Sequence, residues 1–218
     1  MSEPIKVLDH GFVEHIESWG RGKANVAEAA IIEAARQSTQ GAFRGWERDE
    51  GLLKFLYEHK HNSPFEFAGM TIQVQAPIAV FREWHRHRTQ SYNEMSARYA
   101  PLPDVNYVPS MDRIMMVNDE TANKQAAGVD SKKLTLTNAI RFQNRLASGY
   151  VISQHDYQCS LSEGVAKELA RLCVPVGRYS RMYASANLRN WLAFLTLRMQ
   201  PDAQWEIRQF ANVVGQNV

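Results

Sequence analysis

Residues 86–98 read Arg86-His87-Arg88-Thr89-Gln90-Ser91-Tyr92-Asn93-Glu94-Met95-Ser96-Ala97-Arg98, with three arginines, a histidine, a glutamate and two serines and no glycine or proline. A guanidinium is planar, permanently charged and able to grip phosphate or a ring carbonyl through two parallel N–H donors. Serine hydroxyls and backbone N–H groups complete such an anion pocket. The segment therefore reads as a holder of an anion, and of a polyanion in view of its three guanidinium groups. Glu94 serves there either as an internal ion-pair partner or as an acceptor for a ligand hydroxyl or N–H. If Ile78–Arg88 is a helix, Arg86, His87 and Arg88 also complement the negative end of its dipole. That accounts for one or two cations, but not for Ser91, Asn93, Glu94, Ser96 and Arg98 directly behind them.

Other chemistries fit less well. His85 and His87, like His59 and His61, are two residues apart. On a helix such side chains diverge, and only a strand would let them chelate together. Three arginines beside the first pair disfavour a dication, so no metal site is expected. Ser91 and Ser96 lie outside any G-x-S-x-G elbow. Gly20-Arg21-Gly22 is followed by Asn25 where a dinucleotide fingerprint needs a third glycine.

The elements that must position these residues read as α+β. Ile5–Trp19 suits a strand or hairpin, Met70–Ala76 alternates as a half-buried strand, and Arg178–Ala186 alternates likewise. Helical patterns cover Ala24–Ser38, Trp46–His59, Ile78–Arg88, Ser131–Cys159, Glu163–Cys173, Leu188–Met199 and Ala203–Val214. Regular βαβ alternation is missing, so the expectation is one helix-rich domain over 1–218 with a central antiparallel or mixed sheet. Met111–Asp130 has little periodicity and reads as a loop, a candidate for mobility.

Hydrophobic residues make up 44% of the 218, enough for a real core. The net charge of +2 is too balanced for a protein that coats nucleic acid. Cys159 and Cys173 form no C-x-x-C pair and read as small buried hydrophobes. The start, Met1-Ser2-Glu3-Pro4-Ile5-Lys6, lacks the apolar run of a signal peptide, and a reducing cytoplasm fits.

At its basic motif the chain resembles the flavin-dependent thymidylate synthases. Their signature, R-H-R-x-x-S-x-N-E-x-S-x-R-Y, is matched at every fixed position from Arg86 to Tyr99. Asn62-Ser63-Pro64-Phe65-Glu66, with His61 before it, is similar to that family's H-x-[ST]-P-F-E segment. Ala76-Pro77-Ile78, Arg82-Glu83-Trp84, Glu168-Leu169-Ala170-Arg171, Asn187-Leu188-Arg189, Phe194–Arg198 and Ala203–Arg208 extend the likeness over about three quarters of the chain.

The resemblance implies a thymidylate synthase-complementing fold, assembled as a homotetramer with active sites shared between chains. It implies methylation of dUMP to dTMP, with methylenetetrahydrofolate as carbon donor and FAD, reduced by NADPH, as hydride carrier. By the same resemblance FAD would contact Ser63, Arg86, His87, Arg88, Glu94, Asn187, Leu188 and Arg189. dUMP would be held by Glu83, Arg86, Glu94, Met95, Ser96, Ala97, Arg98, Arg171 and Arg198. Arg198 stands where the family places an arginine beside the pyrimidine ring, and His61 is an accessory candidate.

Two positions depart from the family pattern. Glu83 replaces a glutamine found in some members, and Ala193 replaces an asparagine or histidine often placed near the flavin. Two other readings stay open: a nucleotide- or RNA-binding module stacking bases on Tyr92 and Tyr99, and a family member that keeps the fold without turnover.

Overall fold

The computed structural model describes residues 3–20, 26–39, 41–116 and 134–218. A five-stranded antiparallel sheet is its frame, in the spatial order Ile5–Val7 (β1), Gly11–Trp19 (β2), Gly69–Pro77 (β3), Tyr179–Asn187 (β5) and Ser91–Glu94 (β4). β1 (Ile5–Val7) and β2 (Gly11–Trp19) form the expected hairpin. β2 pairs with β3 (Gly69–Pro77), with an irregularity between His15 and Glu17. β3 pairs with β5 (Tyr179–Asn187) from Gly69↔Asn187 to Pro77↔Tyr179.

Alternation explains the two faces. Ile72, Val74 and Ala76 of β3 and Met182, Ala184 and Ala186 of β5 are buried. They form the main core with Val80, Phe81 and Trp84 of α3 (Ile78–Trp84), Trp191 and Phe194 of α7 (Leu188–Arg198), and Ile207, Phe210 and Val214 of α8 (Trp205–Asn217). Their neighbours Gln73, Gln75, Arg181 and Tyr183 point to the opposite face, as period-two geometry requires. A second cluster, Ile31, Leu56, Phe65 and Ala68, joins α1 (Ala27–Arg36) and α2 (Trp46–Glu58) to the turn at Ser63–Glu66. Gly69 belongs at this junction because a Cβ there would lie 2.2 Å from the Trp19 ring and 2.4 Å from the Ala186 carbonyl.

The structure corrects several boundaries. The helix expected over Ile78–Arg88 ends at Trp84, so Arg86, His87 and Arg88 lie in turns beyond it. Ser91–Glu94, unassigned by sequence, is the edge strand β4, paired with β5 from Ser91↔Ser185 to Glu94↔Met182. Met111–Met115 is a short helix, α4, where a loop is expected. Residues 117–130 of that loop lie outside the described residues, as do 24 and 25 of the first expected helix and 131–133 of the expected Ser131–Cys159 helix.

That helix, α5 (Leu136–Ser162), runs three residues past Cys159 and stops at Gly164, whose φ is +85°. Gly164 N–H donates to the Leu161 carbonyl and Val165 N–H to the Ser160 carbonyl, the pairing of a left-handed helix stop. The expected Glu163–Cys173 helix is in consequence reduced to α6 (Lys167–Ala170) and a turn at Arg171–Cys173. Cys159 and Cys173 are partly exposed, not core residues, and Cys159 Sγ lies 3.5 Å from His155 Nε2. Of the 27 residues of α5 only Ala139 and Tyr157 are buried, while Val151 is 71% exposed. No helix among the described residues is long and apolar enough to cross a membrane.

Candidate active site

The turn that follows α3 carries Arg86, His87 and Arg88, and four contacts fix its shape. Trp84 Nε1–H donates to Gln90 Oε1 at 3.0 Å. The Tyr92 hydroxyl shares its proton between the carbonyls of His87 (2.7 Å) and Trp84 (3.1 Å), each of which also accepts a backbone N–H of the turn. Asn190 Nδ2–H donates to the Thr89 carbonyl at 3.1 Å and ties the turn to α7. Burial holds the Tyr92 hydroxyl protonated far above its ordinary range, so it stays a donor.

This turn splits the three signature residues. Arg86 and Arg88 are exposed, and among the described residues their guanidinium groups make no hydrogen bond or ion pair. His87 turns inward against Phe194, edge to face at 4.9 Å. Its Nε2 accepts a hydrogen bond from Arg198 Nε at 2.9 Å. Arg198 Nη1 donates to Glu83 Oε2 at 2.9 Å and Nη2 to the Glu83 carbonyl at 3.2 Å. Burial, and then the neighbouring Arg198 cation, hold the His87 pKa down to about 4, so the ring is neutral at pH 7. Glu83, His87 and Arg198 thus form one cluster, although Arg198 lies 111 residues beyond His87.

A cleft of about 680 Å³ runs along α7, walled by Tyr57, Lys60, Asn62, Phe65, Arg189, Leu192, Ala193 and Leu197 among others, on a different face of that helix from Arg198. Arg189 pairs there with Glu66. Ala193 borders the cleft without a polar group to offer. Ser63 and His61 are exposed beside it. Asn187 and Leu188 serve the fold first. Asn187 Oδ1 caps α7 by accepting from Asn190 N–H at 3.0 Å, and the Leu188 side chain packs against both hydrophobic clusters.

The remaining expected residues form a second group. Glu94 and Met95 border a cleft of about 360 Å³ on the open face of the sheet, with Gln73, Arg181 and Tyr183. Met95 N–H donates to the Arg181 carbonyl at 2.8 Å, continuing the β4 pairing. Ser96 is half-buried, and Ala97 is buried, so Ala97 offers a ligand only its backbone. Arg98 lies over the Tyr99 ring at 5.4 Å. Lys167 Nζ donates to the Tyr99 carbonyl at 3.0 Å, bringing α6 and exposed Arg171 to this end of the signature. Arg171 Nε donates to the Glu168 carbonyl, not to its carboxylate, so no side-chain ion pair among the described residues holds it. No hydrogen bond or ion pair among the described residues joins this group to Glu83, His87 and Arg198.

Sequence reading missed Lys60, Lys167, Gln73, Arg181 and Tyr183. The last three had a signal, since Gln73 alternates with Ile72 and Val74, and Arg181 and Tyr183 with Met182 and Ala184. A further cavity of about 760 Å³, bordered by Tyr107, Arg113, Phe142 and Glu206, contains no signature residue. The Arg113–Glu206 ion pair at 2.8 Å lies in its wall.

The donor set fits a dinucleotide cofactor. The exposed guanidinium groups of Arg86 and Arg88 suit a diphosphate, and the cleft carrying Lys60, Arg189 and Asn62, which neither arginine borders, has the mix of polar and apolar lining that suits a ring system.

Known proteins give the same direction. The family model described as thymidylate synthase complementing protein matches residues 22–218. The chain is 36% identical over 214 residues to a flavin-dependent thymidylate synthase of Thermus thermophilus, covering 98% of this chain and 73% of that one. It is 36% identical over 206 residues to the enzyme of the same name from Thermosipho africanus, covering 94% and 85%. Among solved structures, the UMP/dUMP methylase PolB from Streptomyces cacaoi, bound with 5-Br dUMP, superposes with a TM-score of 0.79 at 32% identity, over 96% of this chain and 90% of that chain.

Proposed function

The chain belongs to the thymidylate synthase complementing protein family, and from that premise we propose that it methylates C5 of dUMP to give dTMP. In this reading methylenetetrahydrofolate supplies the carbon and FAD, reduced by NADPH, supplies the hydride. Tetrahydrofolate is the other product.

The protein's part is to hold rings in register and stabilise charge. Arg86 and Arg88 hold the flavin's diphosphate, with Ser63, Glu94, Arg189 and the backbone at Asn187 and Leu188 completing its site. Glu94, Met95, Ser96, Ala97, Arg98, Arg171 and Arg86 hold dUMP. Glu83 reaches the pyrimidine through Arg198. Arg198 turns its remaining donors to the N3/O4 side of the uracil, stabilising the negative charge that makes C5 nucleophilic. No protein nucleophile is required, and Ser96 is a binding residue. His61 stands beside the cofactor cleft.

The single observation that carries this reading is Arg198 held by three hydrogen bonds to Glu83 and His87, in the same stretch of chain that presents Arg86 and Arg88 uncommitted. The two residue groups, which no hydrogen bond or ion pair among the described residues joins, and the exposed apolar side of α5 support assembly as a homotetramer with sites completed between copies.

The test is the visible spectrum of the purified protein under anaerobic conditions, before and after NADPH with dUMP. A band at roughly 450 nm, as oxidised flavin gives, that bleaches with dUMP present and is followed by dTMP on adding the folate is expected. A colourless protein that takes up no added FAD would reject the reading and favour simple nucleotide or RNA binding.

A further inference from the structure

We propose that His87 is a positioning residue for Arg198: its neutral imidazole accepts the Arg198 Nε–H and, together with Glu83, aims the two remaining guanidinium N–H groups at the substrate. The inference rests on the reading of Arg198 given above and adds to it a residue that the family likeness places at the flavin.

A guanidinium carries five N–H donors. Arg198 commits three of them: Nε to His87 Nε2 at 2.9 Å, Nη1 to Glu83 Oε2 at 2.9 Å and Nη2 to the Glu83 carbonyl at 3.2 Å. One N–H on each Nη is left for the substrate. The two contacts to Glu83 hold the outer edge of the group. The third, at Nε, stops the plane from turning about that edge.

His87 can play this part because its own ring is fixed. Phe194 stands edge-on to it at 4.9 Å and is itself held by Trp84, stacked at 4.5 Å, and by Trp191 at 5.8 Å. The His87 carbonyl is held by the Tyr92 hydroxyl at 2.7 Å. Accepting at Nε2 requires the proton on Nδ1, and a protonated ring would set two cations against each other. The low pKa of about 4, caused by burial and by Arg198, agrees with that requirement. Nε2 is therefore unavailable to the flavin, and only Nδ1–H remains for any cofactor contact. Loss of the acceptor frees the guanidinium to swing. A displacement on the order of 1 Å in such a group costs about 10²-fold in rate.

Two measurements on the full-length chain test this. The first is nitrogen-15 NMR with labelled histidine near neutral pH. The Nδ1–H tautomer of His87 is expected, and the Nε2–H tautomer would overturn the proposal. The second compares His87→Gln, whose amide oxygen restores a neutral acceptor, with His87→Ala. For His87→Ala kcat should fall about 10²-fold with KM for dUMP within about threefold, and His87→Gln should recover at least about a tenth of wild-type kcat. Full kcat in His87→Ala, an equal loss in both variants, or a loss carried by KM alone would overturn the proposal. Should His87→Ala fail to fold, the tautomer still decides. A wild-type chain that makes no dTMP would instead reject the reaction, a failure visible before any substitution is made.

Discussion

Replacing Arg198 by lysine keeps its charge and removes its shape, which makes it the most discriminating change at the site. The arginine holds three contacts and has two donors left. A lysine ammonium has three donors in all, spread from one nitrogen. If it keeps the Glu83 carboxylate and His87, one donor remains for the substrate in place of two. Removing one preorganised donor to developing charge costs about 10²–10³ in kcat, or about 2.7–4 kcal/mol. A fall of at least about 10²-fold is therefore expected in single-turnover dTMP formation at saturating dUMP. Stability should change little. The pair is partly exposed, 14% for the Arg198 side chain and 31% for Glu83, and such pairs contribute about 1 kcal/mol or less. For a chain of 218 residues that is about 2–4 °C in Tm. Flavin retention should also persist. Turnover within about fivefold of wild type in Arg198→Lys would show that a point charge suffices and that the planar fork has no role.

Arg88→Ala should weaken flavin retention by about 10–100-fold, the worth of one charge-assisted contact; unchanged flavin absorbance per protein after gel filtration would remove Arg88 from the cofactor site. Asn187→Ser keeps a side-chain acceptor for the Asn190 N–H, whereas Asn187→Ala loses it and should cost about 1 kcal/mol in thermal unfolding; if both melt alike, the cap contributes nothing. Glu206→Ala should cost about 2–4 kcal/mol, because it strands Arg113 in a mostly buried pair. Burial raises the Glu206 pKa, but Arg113 and Gln204 outweigh it and the net shift is downward. Its stabilisation is therefore complete above the ordinary glutamate range and lost as pH falls through the depressed value, and a Glu206→Ala melt that shows the full wild-type acid dependence would contradict this. Mixing inactive Arg171→Ala with inactive Arg198→Ala should restore part of the activity if sites are completed between copies, and a mixture that stays inactive would place both residues in one chain's site.

The parts of this fold that sequence could show are those governed by local period. β3 and β5 are legible because Ile72, Val74 and Ala76, and Met182 and Ala184, alternate with polar neighbours on a sheet with one buried face. β4 is not, because Ser91–Glu94 has no buried apolar partner set and becomes a strand only through its register with Met182–Ser185. The helix end at Trp84 is equally non-local. Nothing in Ile78–Arg88 announces it, while Gln90, Tyr92 and Asn190 hold the turn that follows.

The same distinction governs the site. Arginine, histidine and arginine in a row suggest one cationic surface, and the residue types alone lead to an anion. The turn instead presents residues 86 and 88 outward and residue 87 inward, where it meets a side chain 111 positions later. Chemistry carried by residue type, such as a guanidinium ready for phosphate, is therefore legible in a linear motif. Chemistry carried by a pairing, such as an imidazole that accepts from Arg198, becomes legible only when the fold has chosen the partner. Glu83 illustrates the consequence. Read alone, its carboxylate in place of an amide suggests an altered uracil contact. Beside Arg198 it is the acceptor that holds the guanidinium, and its negative charge reaches the substrate as a restraint on the cation that would stabilise the reacting ring.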